Sequence, residues 1–209
     1  MSIRRRILTV VFTALMALVV AVMPSSAGGG NNVVVVSNTM DSQTLATAST
    51  QVIPVPMDDV TSSNVAVAVN AGCVGCHSSA VAVQILIVVG SPHDFEPGNG
   101  AAAANGGCDS CGAYAYARQH WIQISGPPVL GGSARAQIAE IRQEIANVTS
   151  SILPSDGTTD PSLTRDHELD TELNALSNEL IQVVTSALQD SGANATTLLD
   201  KTEESTPDS

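Results

Sequence analysis

The chain has 209 residues, and its 8 Lys and Arg face 20 Asp and Glu, a formal charge of −12. So acidic a chain offers no electrostatic footprint for nucleic acid or an anionic membrane. The length suits one good core with a helical appendage.

Arg4, Arg5 and Arg6 precede an apolar run from Ile7 to Met23, and Pro24, Ser25, Ser26 and Ala27 follow. This is the layout of a secretory signal peptide, so residues 1–27 are expected to leave on export to the cell envelope or extracellular space. The competing reading is a retained anchor, because the 17-residue run sits at the bottom of the spanning range of about 17–25. Removal takes three arginines and leaves 182 residues with a formal charge of −15. No later apolar run reaches spanning length, so no membrane span is expected after cleavage.

Residues 28–63 read as N-terminal strands and loops. Asn32 to Val36 makes one strand, and 51–56 another that Pro54 and Pro56 demote to an edge.

Residues 64–125 hold a duplication with a period of 35. Asn64, Asn70, Cys73, Cys76, Ala80, Ala82 and Gln84 recur as Asn99, Asn105, Cys108, Cys111, Ala115, Ala117 and Gln119. Alternation within each copy predicts two strands, with the cysteines at the bend and the matched alanines and Gln on one face. Each copy is therefore expected to be an antiparallel, hairpin-like unit, with the alanine face as the contact between copies. The opposite face changes from Val81, Val83 and Ile85 to Tyr116, Arg118 and His120, which points to core in one copy and to solvent or a partner in the other.

After a linker at 126–132, Ala134, Ile138, Ile141, Ile145, Val148 and Ile152 alternate spacings of four and three. Leu169, Leu173, Leu176, Leu180, Val183 and Ala187 repeat the pattern beyond Pro161. That is the narrow seam of a coiled coil, and it predicts a helical hairpin over 133–190. Few contacts are expected to cross the linker, so a chain ending at Gly131 should keep its β structure. Residues 191–209 read as a disordered acidic tail. The fold class expected is α+β: a small disulfide-stapled antiparallel β region, a helical hairpin and a floppy end.

Four cysteines in an exported chain are disulfides by default. Cys73–Cys76 with Cys108–Cys111 is the simplest pairing, and bonds across the copies are the runner-up. Cys73, Cys76 and His77 also spell a c-type haem attachment signature. Against haem stand Gly112 at the matching position of the second copy and the β-type flanks. Two Cys-x-x-Cys pairs can furnish a four-thiolate zinc site, although 31 residues separate Cys76 from Cys108, longer than the usual interval of about 15–20. Thiol-disulfide exchange is the third option, and Asp109 inside the second pair works against a thiolate. No hydrolase or phosphate-binding motif is present, so no enzyme is expected. Tyr114, Tyr116, Arg118, His120 and Trp121 form the candidate binding patch, with an ordinary edge strand as the plain alternative.

The paired module, running from Asn64 to Ile152 with its Ile-rich helix, resembles a family of actinobacterial exported proteins. It is similar to modules at the ends of membrane proteins labelled peptide zinc metalloproteases, whose protease motif is lacking here. The resemblance implies a genuine module without an established activity. It also implies that Thr, Arg or Gln can stand in for His77, which weakens haem further. The expectation is an exported, non-catalytic structural or binding protein without cofactor, facing a protein or cell-envelope partner. Its Ala and Asn faces suit stacking into a homo-oligomer.

Overall fold

In a computed structural model, residues 30–55, 60–92, 95–151 and 161–206 are described. The leader expected at 1–27 lies outside them, as does the segment that joins the two helices. The strands are β1 (Asn32–Asn38), β2 (Thr44–Val55), β3 (Val60–Ala71), β4 (His77–Val89), β5 (Phe95–Gly106), β6 (Gly112–Ile124) and β7 (Ala195–Ser205). The helices are α1 (Gly132–Ser151) and α2 (Pro161–Asp190).

The first six strands alternate between two sheets. One sheet has the order β1-β3-β5 and the other β2-β4-β6-β7, and every pairing among β1 to β6 is parallel. Each consecutive pair of strands is thus one turn of a solenoid, and three turns stack in register. This corrects the antiparallel expectation. A β-strand in the opposite sheet serves as the crossover that a parallel pairing needs.

The stack also has a third copy. Asn32 pairs with Asn64, which pairs with Asn99; Asn38, Asn70 and Asn105 stack likewise, as do Gln51, Gln84 and Gln119. These amides are the internal skeleton. Asn32 Nδ2 donates to Asn64 Oδ1 at 2.9 Å, and Asn64 Nδ2 to Asn99 Oδ1 at 2.8 Å. Asn70 Nδ2 donates to Asn105 Oδ1 at 2.8 Å, and Gln119 Nε2 to Gln84 Oε1 at 2.8 Å. Asn64 and Asn99 also reach the facing sheet, donating to the carbonyls of Ala82 and Ala117 at 3.0 Å. Between the ladders lies a thin apolar layer of Val34, Val36, Ala66, Ala68, Ala80, Ala82, Ala115 and Ala117. Alanine keeps the sheets close enough for an asparagine to span them.

The other face of the second sheet is covered by the helices. Val81, Val83, Ile85, Tyr114 and Tyr116 share a core with Ile138, Ile141, Ile145, Leu169, Leu173 and Leu180. The expected separation at the linker does not hold. The buried stripe on α1 is Ala134, Ile138, Ile141, Ile145 and Thr149, and on α2 Leu169, Leu173, Ser177, Leu180, Val184 and Leu188. These positions drift at more than 3.6 residues per turn, whereas a left-handed coiled coil holds 3.5. The helices answer to the sheet as well as to each other. Leu176, Val183 and Val148 are only partly buried at its margin.

The tail is a further correction. Residues 195–205 add to the second sheet as β7, antiparallel to β6, with Asp200 opposite His120 and Glu204 opposite Tyr116.

Leu173→Asp should lower stability by about 3–5 kcal/mol, because it buries a charge without a partner. The loss should appear as one cooperative transition in urea, followed together by helical and β circular dichroism. A chain ending at Gly131 loses both its cover and β7, and should aggregate or unfold. Asn64→Ala should cost about 1–3 kcal/mol, seen as a lower urea midpoint, by leaving Asn99 and Asn32 without their ladder partner.

Candidate functional site

The two cysteine turns lie one on the other. Gly72 N donates to Gly106 O at 2.9 Å, Gly75 N to Asp109 O at 2.8 Å and Gly112 N to Cys76 O at 3.1 Å, so the parallel ladder runs on through the bend. Gly75 (φ 61°) and Ser110 (φ 55°) take the left-handed conformation between the cysteines of each pair, as Ser42 (φ 55°) does in the first turn. That residue reverses the chain and turns both sulfurs of a pair to the same side. Flanking asparagines pin the bend: Asn70 donates to Gly112 O at 2.7 Å and Asn105 to Cys111 O at 2.8 Å.

Register thereby gathers all four sulfurs within 4.8 Å of one another. Cys73 and Cys76 form a disulfide, with Cα atoms 6.1 Å apart. Cys108 and Cys111 are thiols, so the expected second local bond is not present. Cys76 Sγ lies 2.9 Å from Cys111 Sγ, Cys73 Sγ 3.6 Å from Cys108 Sγ, and Cys76 Sγ 3.8 Å from Cys108 Sγ. Cys73, Cys76 and Cys111 are buried and Cys108 is partly so. Burial, helped by the Cys108 thiol, pushes the Cys111 thiol up to about 11, against hydrogen bonds from the Cys76 and Gly75 backbone.

The sulfurs face each other rather than outward. A covalent haem on Cys73 and Cys76 would have to take the space that Cys108 and Cys111 fill, so the corner does not fit that group. His77 starts β4 at a half-buried position.

The candidate binding patch is not a surface. Tyr114, Tyr116 and Trp121 are fully buried, and Arg118 and His120 nearly so. Nor are the five together. Trp121 points between the sheets, packed with Val55, Leu86 and Val88. The other four lie under α2 and β7. Tyr114 Oη donates to Asp170 at 2.6 Å and Tyr116 Oη to Asn174 Oδ1 at 3.0 Å. Arg118 grips Asp200 with two hydrogen bonds of 3.1 and 2.8 Å, and Asn178 Oδ1 with one of 2.8 Å. The expectation that this divergent face meets solvent or an outside partner is corrected: the chain's own helix and last strand cover it. His120 Nδ1 sits 3.6 Å from Asp200 Oδ1. Burial outweighs that carboxylate and lowers the His120 value, which disfavours the imidazolium. Burial raises the phenols of Tyr114 and Tyr116.

No family model, curated protein or solved structure matches the chain. Among the described residues no helix is long and apolar enough to cross a membrane.

The network predicts an acid response. Burial alone would raise Asp200, but the hydrogen bonds and charge of Arg118 overcome it and hold the carboxyl below its ordinary 3.8. A depressed carboxyl stabilises the fold above the unfolded value and loses that contribution as pH falls through the folded one. Asp200→Asn should therefore melt earlier than the parent at neutral pH, and the difference should close below about pH 4. Thermal melts of both proteins across pH 2–7 would check this.

Proposed function

We propose that this chain is an exported, non-catalytic structural or binding protein of the cell envelope or extracellular space. The observation that carries it is the closed cysteine corner, in which four sulfurs of two stacked turns lie within 4.8 Å of one another and three of them are shut away from solvent. A reactive thiol needs partial exposure and an electropositive setting. Here the thiol nearest the disulfide is buried and its ionisation opposed. The leader-like residues 4–27 support export, and export favours oxidation of Cys108 and Cys111 as well. The resemblance to actinobacterial exported proteins points the same way.

The ends of the solenoid differ, which bears on self-association. β7 covers β6 at the third turn, where β5 remains the outer strand of its sheet, whereas β1 and β2 are both outer strands at the first. Two copies that add strands first turn to first turn would close as a dimer.

Intact mass of the protein recovered from its exported location tests this directly. Alkylation without reductant should leave the mass unchanged, reduction should expose four thiols, and the chain should begin near Gly28. Two or more thiols that label before reduction, or a mass that includes the leader, would overturn the reading.

A further inference from the structure

We propose that the reduced cysteine corner is a closed tetrahedral site for one zinc ion, with Cys73, Cys76, Cys108 and Cys111 as its four ligands. A zinc–sulfur bond of about 2.3 Å sets the sulfur–sulfur edge of a tetrahedron at about 3.8 Å. Cys76 to Cys108 at 3.8 Å and Cys73 to Cys108 at 3.6 Å already match that edge. Cys76 and Cys111, at 2.9 Å, need to part by less than an ångström, and Cys73 and Cys76, bonded here, part to the same edge once reduced. All four sulfurs fall within 4.8 Å, which suits one ion.

Donor chemistry selects the class of metal. Four thiolates are soft ligands, and a four-sulfur tetrahedron favours zinc over the harder cations that prefer oxygen. With four protein ligands and three of them buried, no coordination position is left for water, as in structural zinc sites. Solenoid register delivers the sulfurs to these positions, so the long interval between the two pairs is no obstacle.

The chemistry balances as follows. An external dithiol reduces the Cys73–Cys76 disulfide, giving two thiols and becoming a disulfide itself. One Zn2+ then replaces four thiol protons, leaving a four-thiolate complex of net charge −2 and releasing four protons. Binding therefore strengthens as pH rises. The site belongs to the reduced corner and the staple to the oxidised one, so each can fail without the other.

The test uses the full chain, reduced with a dithiol and freed of it without oxygen, then titrated with Co2+. Expected are saturation at one equivalent, the strong visible bands of tetrahedral cobalt with thiolate charge transfer in the near ultraviolet, and displacement by Zn2+. Cys108→Ser should weaken zinc by more than about a hundredfold, since losing even an outer-sphere partner costs about 10–100-fold. His77→Ala should change nothing. Circular dichroism before and after metal accounts for folding, and β signal restored by zinc in an otherwise unfolded reduced chain also supports the site. Pink six-coordinate cobalt, no binding, one ion shared by two chains, or an unaltered spectrum in Cys108→Ser would overturn it. Loss of binding in His77→Ala would show that the donor set is wrong.

Discussion

A buried asparagine has two donors and an acceptor that must be satisfied, and in this fold its own counterpart one turn away does much of that. Six of the stacked amides, Asn32, Asn38, Asn64, Asn70, Gln84 and Gln119, are almost wholly removed from water. Each unmet buried group costs about 1–3 kcal/mol. Identical amides bond side by side when strands run parallel and in register, at the strand spacing of about 4.8 Å. Slipping by one residue would turn every amide to the other face and leave it unpaired. The ladders therefore fix direction and register together. They also bring Cys73 over Cys108 and Cys76 over Cys111 without any contribution from sulfur.

That interior is too thin to hold the protein alone. Between the asparagine ladders lie mainly alanines with Val34 and Val36, which bury little area per residue, and Trp121 with Val55, Leu86 and Val88 forms a separate small cluster. The larger apolar core lies outside the second sheet, where α1 and α2 supply Ile138, Ile141, Ile145, Leu169, Leu173 and Leu180. Parallel strands are normally covered on both faces, and for the second sheet the helices provide the outer cover. The same cover explains the divergence of β6. Its outer residues Tyr114, Tyr116 and Arg118 meet the polar flank of α2 at Asp170, Asn174 and Asn178, while Asp200 of β7 closes the end.

Strand positions and faces were legible in the sequence because alternation reports which residues share a face. It does not report pairing direction, since side chains alternate identically in parallel and antiparallel strands. The hairpin expectation failed at that point. The first turn was missed because it has no cysteine and its stagger differs: Asn32 precedes Asn64 by 32 residues, whereas Asn64 precedes Asn99 by 35. Asn32 and Asn38, at the same interval as Asn64 and Asn70, and Gln51 were the available signal. Residues 195–205 carry too few apolar side chains to announce a strand; β7 is held by its backbone ladder and by Arg118 on Asp200. Of the candidate site, the four cysteines were legible as a set. Their convergence depends on register and was not, and the aromatic patch was misplaced because sequence does not show what covers a face.

In-register stacking of the second turn on the third underlies both the amide ladders and the sulfur corner. Its most direct measurement uses a chain in which Cys73 and Cys108 are both replaced by serine. After mild oxidation, peptide mapping should find Cys76 joined to Cys111 within one chain, in yields that do not change on dilution. Thiols that stay free, or a bond that forms only between chains, would contradict the parallel stack.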